Sequence, residues 1–172
     1  MGDAQMAEGK YQPAMLLQMF RKAAKLRKEM RDAGFTDNGG AIHSAERILN
    51  ILGQRVSYPG LNHINGLKHY PAAVFSTKAY MAHRRGEQVK IEHVSPLRHL
   101  TQRAIRRALN GDSDEEMIAY VRRHYRLVFL TPEEVARLNG VNRSAIRWKR
   151  LEKAGITLRG RHKAARQRKR SP

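Results

Sequence analysis

Between Tyr11 and about Ala33, apolar residues recur at intervals of three and four: Met15, Leu16, Met19, Phe20, Ala23, Leu26 and Met30. Arg21, Lys22, Lys25, Lys28 and Arg31 fall on the other side. That period is helical, and Gly34 ends it. Residues 35–40 (FTDNGG) are turn chemistry, after which Ser44 is expected to cap a second helix with Ile48, Leu49 and Leu52 on its inner face. From Val56 to Lys68 the period is broken by Pro59, Gly60, Asn62, Asn65 and Gly66, which predicts an irregular connection. Helix is expected again from near Pro71, where Ala73, Val74, Ala79, Tyr80 and His83 can share a face and Gly86 closes the element.

The period then shortens to two. In residues 88–94 (QVKIEHV), Val89, Ile91 and His93 alternate with Lys90, Glu92 and Val94, and Pro96 stops the run, so a short strand is predicted. A helix follows over residues 97–109. Ser113, with Glu116 three residues on, reads as a capping box opening the next helix. Residues 125–130 (YRLVFL) are apolar and aromatic-rich, hence a second strand. Thr131, Pro132 and Glu134 then supply the cap, first position and third position of a helix that ends at Gly140. A last helix is expected over Arg143–Lys153. The fold class expected is α+β, mostly helical, with a two-stranded β element (about 88–94 and 125–130) beside a helix. The organisation expected is an N-terminal helical region (1–87), a nucleic-acid-binding region (88–155) and a basic flexible tail (156–172).

Charge narrows the function. The chain of 172 residues has 34 Lys+Arg against 15 Asp+Glu, a formal net charge of +19. That excess points to an anionic polymer as partner. No stretch approaches the ~20 apolar residues needed to span a bilayer, and the start MGDAQMAEGK lacks a basic region followed by an apolar core. The protein is therefore expected to be neither secreted nor transmembrane, but cytoplasmic, nucleoid-associated or part of a phage particle. With no cysteine, thiolate chemistry and Cys-built zinc sites are excluded. Neither GxxxxGK[ST], GxGxxG after a strand, nor GxSxG occurs, which sets aside NTPase, dinucleotide and Ser-hydrolase readings. His43, His63, His69, His83, His99 and His162 show no metal-ligand spacing.

Glu92-His93-Val94-Ser95-Pro96 ends the first predicted strand, and a second strand and a helix follow it in the chain. This order and the Glu-His-x-x-Pro run resemble the ββα-metal site of HNH (His-Me finger) endonucleases. The resemblance covers about a quarter of the chain and rests mainly on those five residues. It implies His93 as the general base that activates water, with Glu92 and Glu134, or else Glu133 in place of Glu134, as ligands of Mg²⁺ or Mn²⁺. The family's middle Asn has no clear match, and Glu stands where its helix usually carries His or Asn. A neutral imidazole suits that task because its ordinary pKa lies near ~6.5.

Residues 131–155 bear a weaker likeness to a helix-turn-helix unit. Ala136, Gly140, Val141 and Ile146 fall at the spacing of Cro-like repressors, with Lys149 departing from the pattern. On that likeness Asn142, Arg143, Ser144 and Arg147 would point into the major groove. Arg98, Arg103, Arg106 and Arg107 on the helix after the first strand, together with Lys149 and Arg150, are further candidate phosphate contacts. In the C-terminal run, Arg159, Arg161, Lys163, Arg166, Arg168, Lys169 and Arg170 are offset by no acid. The function expected is a metal-dependent HNH-like DNA endonuclease of phage or mobile-element type, the metal being its cofactor. The alternatives are a non-catalytic helix-turn-helix regulator or accessory protein, and a structural RNA-binding protein. DNA is favoured over RNA as partner, and no membrane is expected.

Overall fold

The computed structural model describes residues 11–141 and 148–159. In chain order these form α1 (Pro13–Asp32), α2 (His43–Ser57), α3 (Thr77–Arg84), β1 (Lys90–His93), α4 (Leu97–Leu109), α5 (Asp114–His124), β2 (Leu127–Leu130), α6 (Pro132–Gly140) and α7 (Trp148–Lys153). The class is α+β and mostly helical, with a two-stranded antiparallel sheet. Two compact units interleave along the chain. One takes Met1–Gly66 and Leu97–Tyr125, the other Leu67–Pro96 and Arg126–Pro172.

In the first unit, α1 buries Leu16, Leu17, Phe20, Ala23 and Ala24, while Met15, Met19 and Leu26 are exposed. The apolar pattern of α1 holds two neighbouring rows, and the row carrying Leu17 and Ala24 turns inward. One residue is about 100° of helix, so the buried row lies one position from the row the sequence suggested. Ser44 is not the cap of α2: the N-cap is Ile42, without a side-chain hydrogen bond. Thr36 serves the preceding turn instead, its Oγ1 accepting from the Gly39 amide at 2.9 Å, and Gly40 at φ 104° swings the chain into α2. Arg27 clamps Asp37 through two hydrogen bonds of 2.8 Å, holding that carboxyl below its usual range. Leu100, Thr101, Ala104 and Ile105 form the buried stripe of α4, and Ser113 with Glu116 closes the expected capping box on α5.

In the second unit, β1 and β2 pair with Lys90 opposite Leu130, Ile91 opposite Phe129, Glu92 opposite Val128 and His93 opposite Leu127. The helix expected from Pro71 begins only at Thr77, with Ser76 as its N-cap. Val74–Ser76 runs extended beside β2 instead. The Phe129 amide donates to the Val74 carbonyl at 2.8 Å and the Ser76 amide to the Phe129 carbonyl at 3.0 Å. On its other side this segment meets the chain after α7, where Ser76 bridges Leu158, the Thr77 amide donates to Thr157 and the Arg159 amide to Phe75. Ile156 and Leu158 are buried, so the flexible tail expected from residue 156 does not include Ile156–Arg159. One core gathers Val94, Val128, Leu130, Val135, Leu138, Leu151, Ala154, Ile156 and Leu158. No helix among the described residues is long and apolar enough to cross a membrane.

Candidate nucleic-acid interface

The pleat sorts the second unit's side chains onto two faces. Val128 and Leu130 belong to the core with α6 and α7, so their partners Glu92 and Lys90 share that side. Ile91 and His93 share the opposite side with Phe129 and Leu127, and Phe75 stacks there on Phe129 with ring centroids 4.5 Å apart.

This division bears directly on the HNH-like residues. Glu92 and His93, adjacent in sequence, leave the strand on opposite faces. Burial raises the Glu92 carboxyl above its ordinary range, with Arg150 and Lys90 opposing. Burial first, and then the Arg150 charge, lower the His93 imidazole from 6.5 to about 4. It is therefore neutral near pH 7, and a weak base there.

Glu134 is buried and committed. Its Oε2 accepts from the Ser76 hydroxyl at 2.5 Å and from the Thr131 amide at 3.0 Å, while its own amide donates to Thr131 Oγ1 at 3.3 Å. Ser76 Oγ in turn accepts from the Ala79 amide at 2.9 Å. One carboxylate thus ties the N-cap of α3 to the N-cap of α6, and both starts are oriented by it. Among the described residues no group of three or more His, Asp or Glu could hold a metal ion. Glu92, His93 and Glu134 do not fit the metal site that the resemblance implies, because two point to opposite faces and the third is a buried cap. Ser76, the partner that reveals this, is absent from the sequence reading although a Ser immediately before TKAYMAHR is itself an N-cap signal.

The helix-turn-helix residues Asn142, Arg143, Ser144, Ile146 and Arg147 lie outside the described residues. Within them Ala136 is exposed, and Gly140 is absent from the glycines at positive φ. Both differ from the corner that the likeness implies, in which the small residue is covered and the glycine turns left-handed.

No protein-family model, curated protein or solved structure matches the chain. The case for function therefore rests on the side chains alone.

Several candidate cations are occupied. Arg98 bonds Glu46 at 2.8 Å and Asn38 at 2.5 Å. Arg107 pairs with Asp112 at 2.5 Å and lies 5.1 Å from the centroid of the Tyr120 ring. Arg150, expected as a phosphate contact, is instead 5% exposed and donates to the His93 carbonyl at 3.1 Å, which removes it from the interface. Arg103 and Arg106 are different. They stand four and seven residues after His99 on one face of α4, Arg106 exposed and Arg103 half-buried. Their charges, after burial, lower the His99 imidazole. Lys149 and Arg159 are exposed. Arg161, Lys163, Arg166, Arg168, Lys169 and Arg170 lie outside the described residues.

Proposed function

We propose that this chain binds nucleic acid, DNA in preference to RNA, through phosphate contacts and without cutting it. The observation that carries this reading is stoichiometric. Were each of the 15 carboxylates paired with a cation, 19 of the 34 basic side chains would still lack an acidic partner. Solubility asks for a net charge of only roughly 2 to 8 in a small domain. A larger excess strains the compact state by self-repulsion, which a polyanion relieves. On this reading the protein works in the cytoplasm or nucleoid, or within a phage particle.

The test is fluorescence anisotropy with labelled single-stranded and duplex oligonucleotides over a salt series. Binding is expected, with log affinity falling linearly against log salt. No binding to DNA or RNA at about 50 mM salt, where such contacts are strong, would overturn the reading.

Cleavage of the HNH type is the second reading, favoured by one observation. β1 pairs antiparallel with β2, and α6 follows directly and packs on β1, the chain order of a ββα element with His93 at the end of its first strand. A nicking assay on supercoiled plasmid with Mg²⁺ or Mn²⁺ separates the two readings. Nicking by the native chain but not by His93→Ala would establish the enzyme; binding without nicking is the result expected.

A further inference from the structure

The sheet face that carries Phe75 and Phe129 continues into an aromatic and cationic ledge. Tyr80, one turn into α3, meets Phe75 edge-on at 6.0 Å and 81°. His83 stacks on Phe75 at 5.4 Å and 25°. Over the Tyr80 ring lies the Arg159 guanidinium, its carbon 3.4 Å from the ring centroid. The neighbouring Arg84 and Arg159 cations hold the Tyr80 phenol below its ordinary range.

Arg159 is not held there by its side chain alone. Its amide donates to the Phe75 carbonyl at 3.0 Å, and the neighbouring Leu158 is bridged to Ser76 and buried. Strand alternation then turns Arg159 to the Phe75 face. The residue is exposed even with its guanidinium over the Tyr80 ring.

We infer that the Arg159–Tyr80 stack is a docking site for an unpaired base of single-stranded DNA, with Arg84 placed to take an adjacent phosphate. This rests on the nucleic-acid-binding reading and adds the form of the strand and the place where it is held. A guanidinium held over a tyrosine ring offers a base a π-surface and a positive charge together, and such stacks form wherever bases are free of a duplex. Charge complementarity selects the occupant. Arg84 and Arg159 are both exposed and neither enters an ion pair among the described residues, and the whole chain carries +19. A duplex keeps its base faces covered and can use only the charges.

The experiment compares three probes on the full chain: an oligothymidine of about 12 nucleotides, an abasic strand of the same length and a duplex. The native protein is expected to bind oligothymidine at least about fivefold more tightly than the abasic strand, the lower end of what one stacked base contributes. Arg159→Lys keeps the charge and removes the plane, so it should abolish that preference. Tyr80→Leu should do the same, and Tyr80→Phe, which keeps the ring, should restore the preference. Thermal unfolding of each variant identifies any that fails to fold; Arg159→Lys retains the backbone bond to Phe75. Equal binding of oligothymidine and abasic strand by the native protein, or an undiminished preference in Arg159→Lys, overturns the inference while leaving general binding intact. An oligouridine that binds more tightly than oligothymidine overturns the assignment to DNA. Failure to bind any probe instead removes the parent reading.

Discussion

Gly53, on α2, faces the ring of Tyr125. A Cβ built at this position would stand 2.2 Å from Tyr125 Cδ2. Tyr125 is itself 1% exposed and donates its hydroxyl proton to Asn50 Oδ1 at 2.6 Å, so it has little room to move away. Gly53→Ala is therefore expected to lower stability by about 2 kcal/mol or more despite the better helix propensity of alanine, because overpacking outweighs it. Chemical denaturation measures this, and a gain in stability would show that the ring yields. His93 supplies a second prediction. Its folded-state pKa, about 4, lies below the ordinary 6.5, so between those values the unfolded chain binds the extra proton. Stability from this group is present above pH 6.5 and is lost as pH falls toward 4, by up to roughly 3 kcal/mol. Repeating the denaturation series at pH 7 and pH 5 with His93→Gln should show a flatter pH dependence than the native chain. Equal slopes would mean the imidazole stays accessible to protons in the fold.

At the scale of elements, what was legible in the sequence is what is local. The capping boxes of Ser113 with Glu116 and of Thr131 with Glu134 span three residues each, and both form as the pattern requires. The sequence pattern reads Val74–Ser76 as helix because nothing within a few residues marks it as extended; its hydrogen bonds go to Phe129 and to residues 157–159. The metal-ligand expectation for Glu134 fails for a related reason. The Thr131 cap was visible, but Ser76, 58 residues away, was not, and the second bond is what makes the carboxylate a buried tie. Its removal should be costly. Glu134→Ala loses a cap contribution of ~1 kcal/mol and leaves the Ser76 hydroxyl without its acceptor, a further ~1–3 kcal/mol. Ser113→Ala, at an exposed cap, should cost only about 1 kcal/mol. Comparable losses in the two variants, measured by denaturant midpoint, would refute the role given to Glu134. On α4, by contrast, Arg106→Glu at an exposed position should leave stability within about 0.5 kcal/mol, as solvent-facing changes do, and weaken DNA binding.

At the scale of the molecule, the net charge of +19 was legible in full, since a sum of side chains needs no fold. The division into two interleaved units was not, because each joins segments far apart in the chain. Charge also yields the prediction that depends on the fewest structural details. After Arg159 the sequence still holds Arg161, Lys163, Arg166, Arg168, Lys169 and Arg170, with no Asp or Glu among them. A chain ending at Arg159 keeps the buried Ile156 and Leu158 and the backbone bond of Arg159 to Phe75, so its fold should be intact. What it gives up is phosphate contacts. On duplex DNA each such contact contributes about 0.9 to the slope of log affinity against log salt. Removing all six should therefore flatten that slope by up to about 5 and weaken binding most at low salt. The stacked Arg159 is retained, so the preference of the shortened chain for oligothymidine over an abasic strand should survive. A slope unchanged by the truncation would show that the cations before residue 160 alone carry the phosphate contacts.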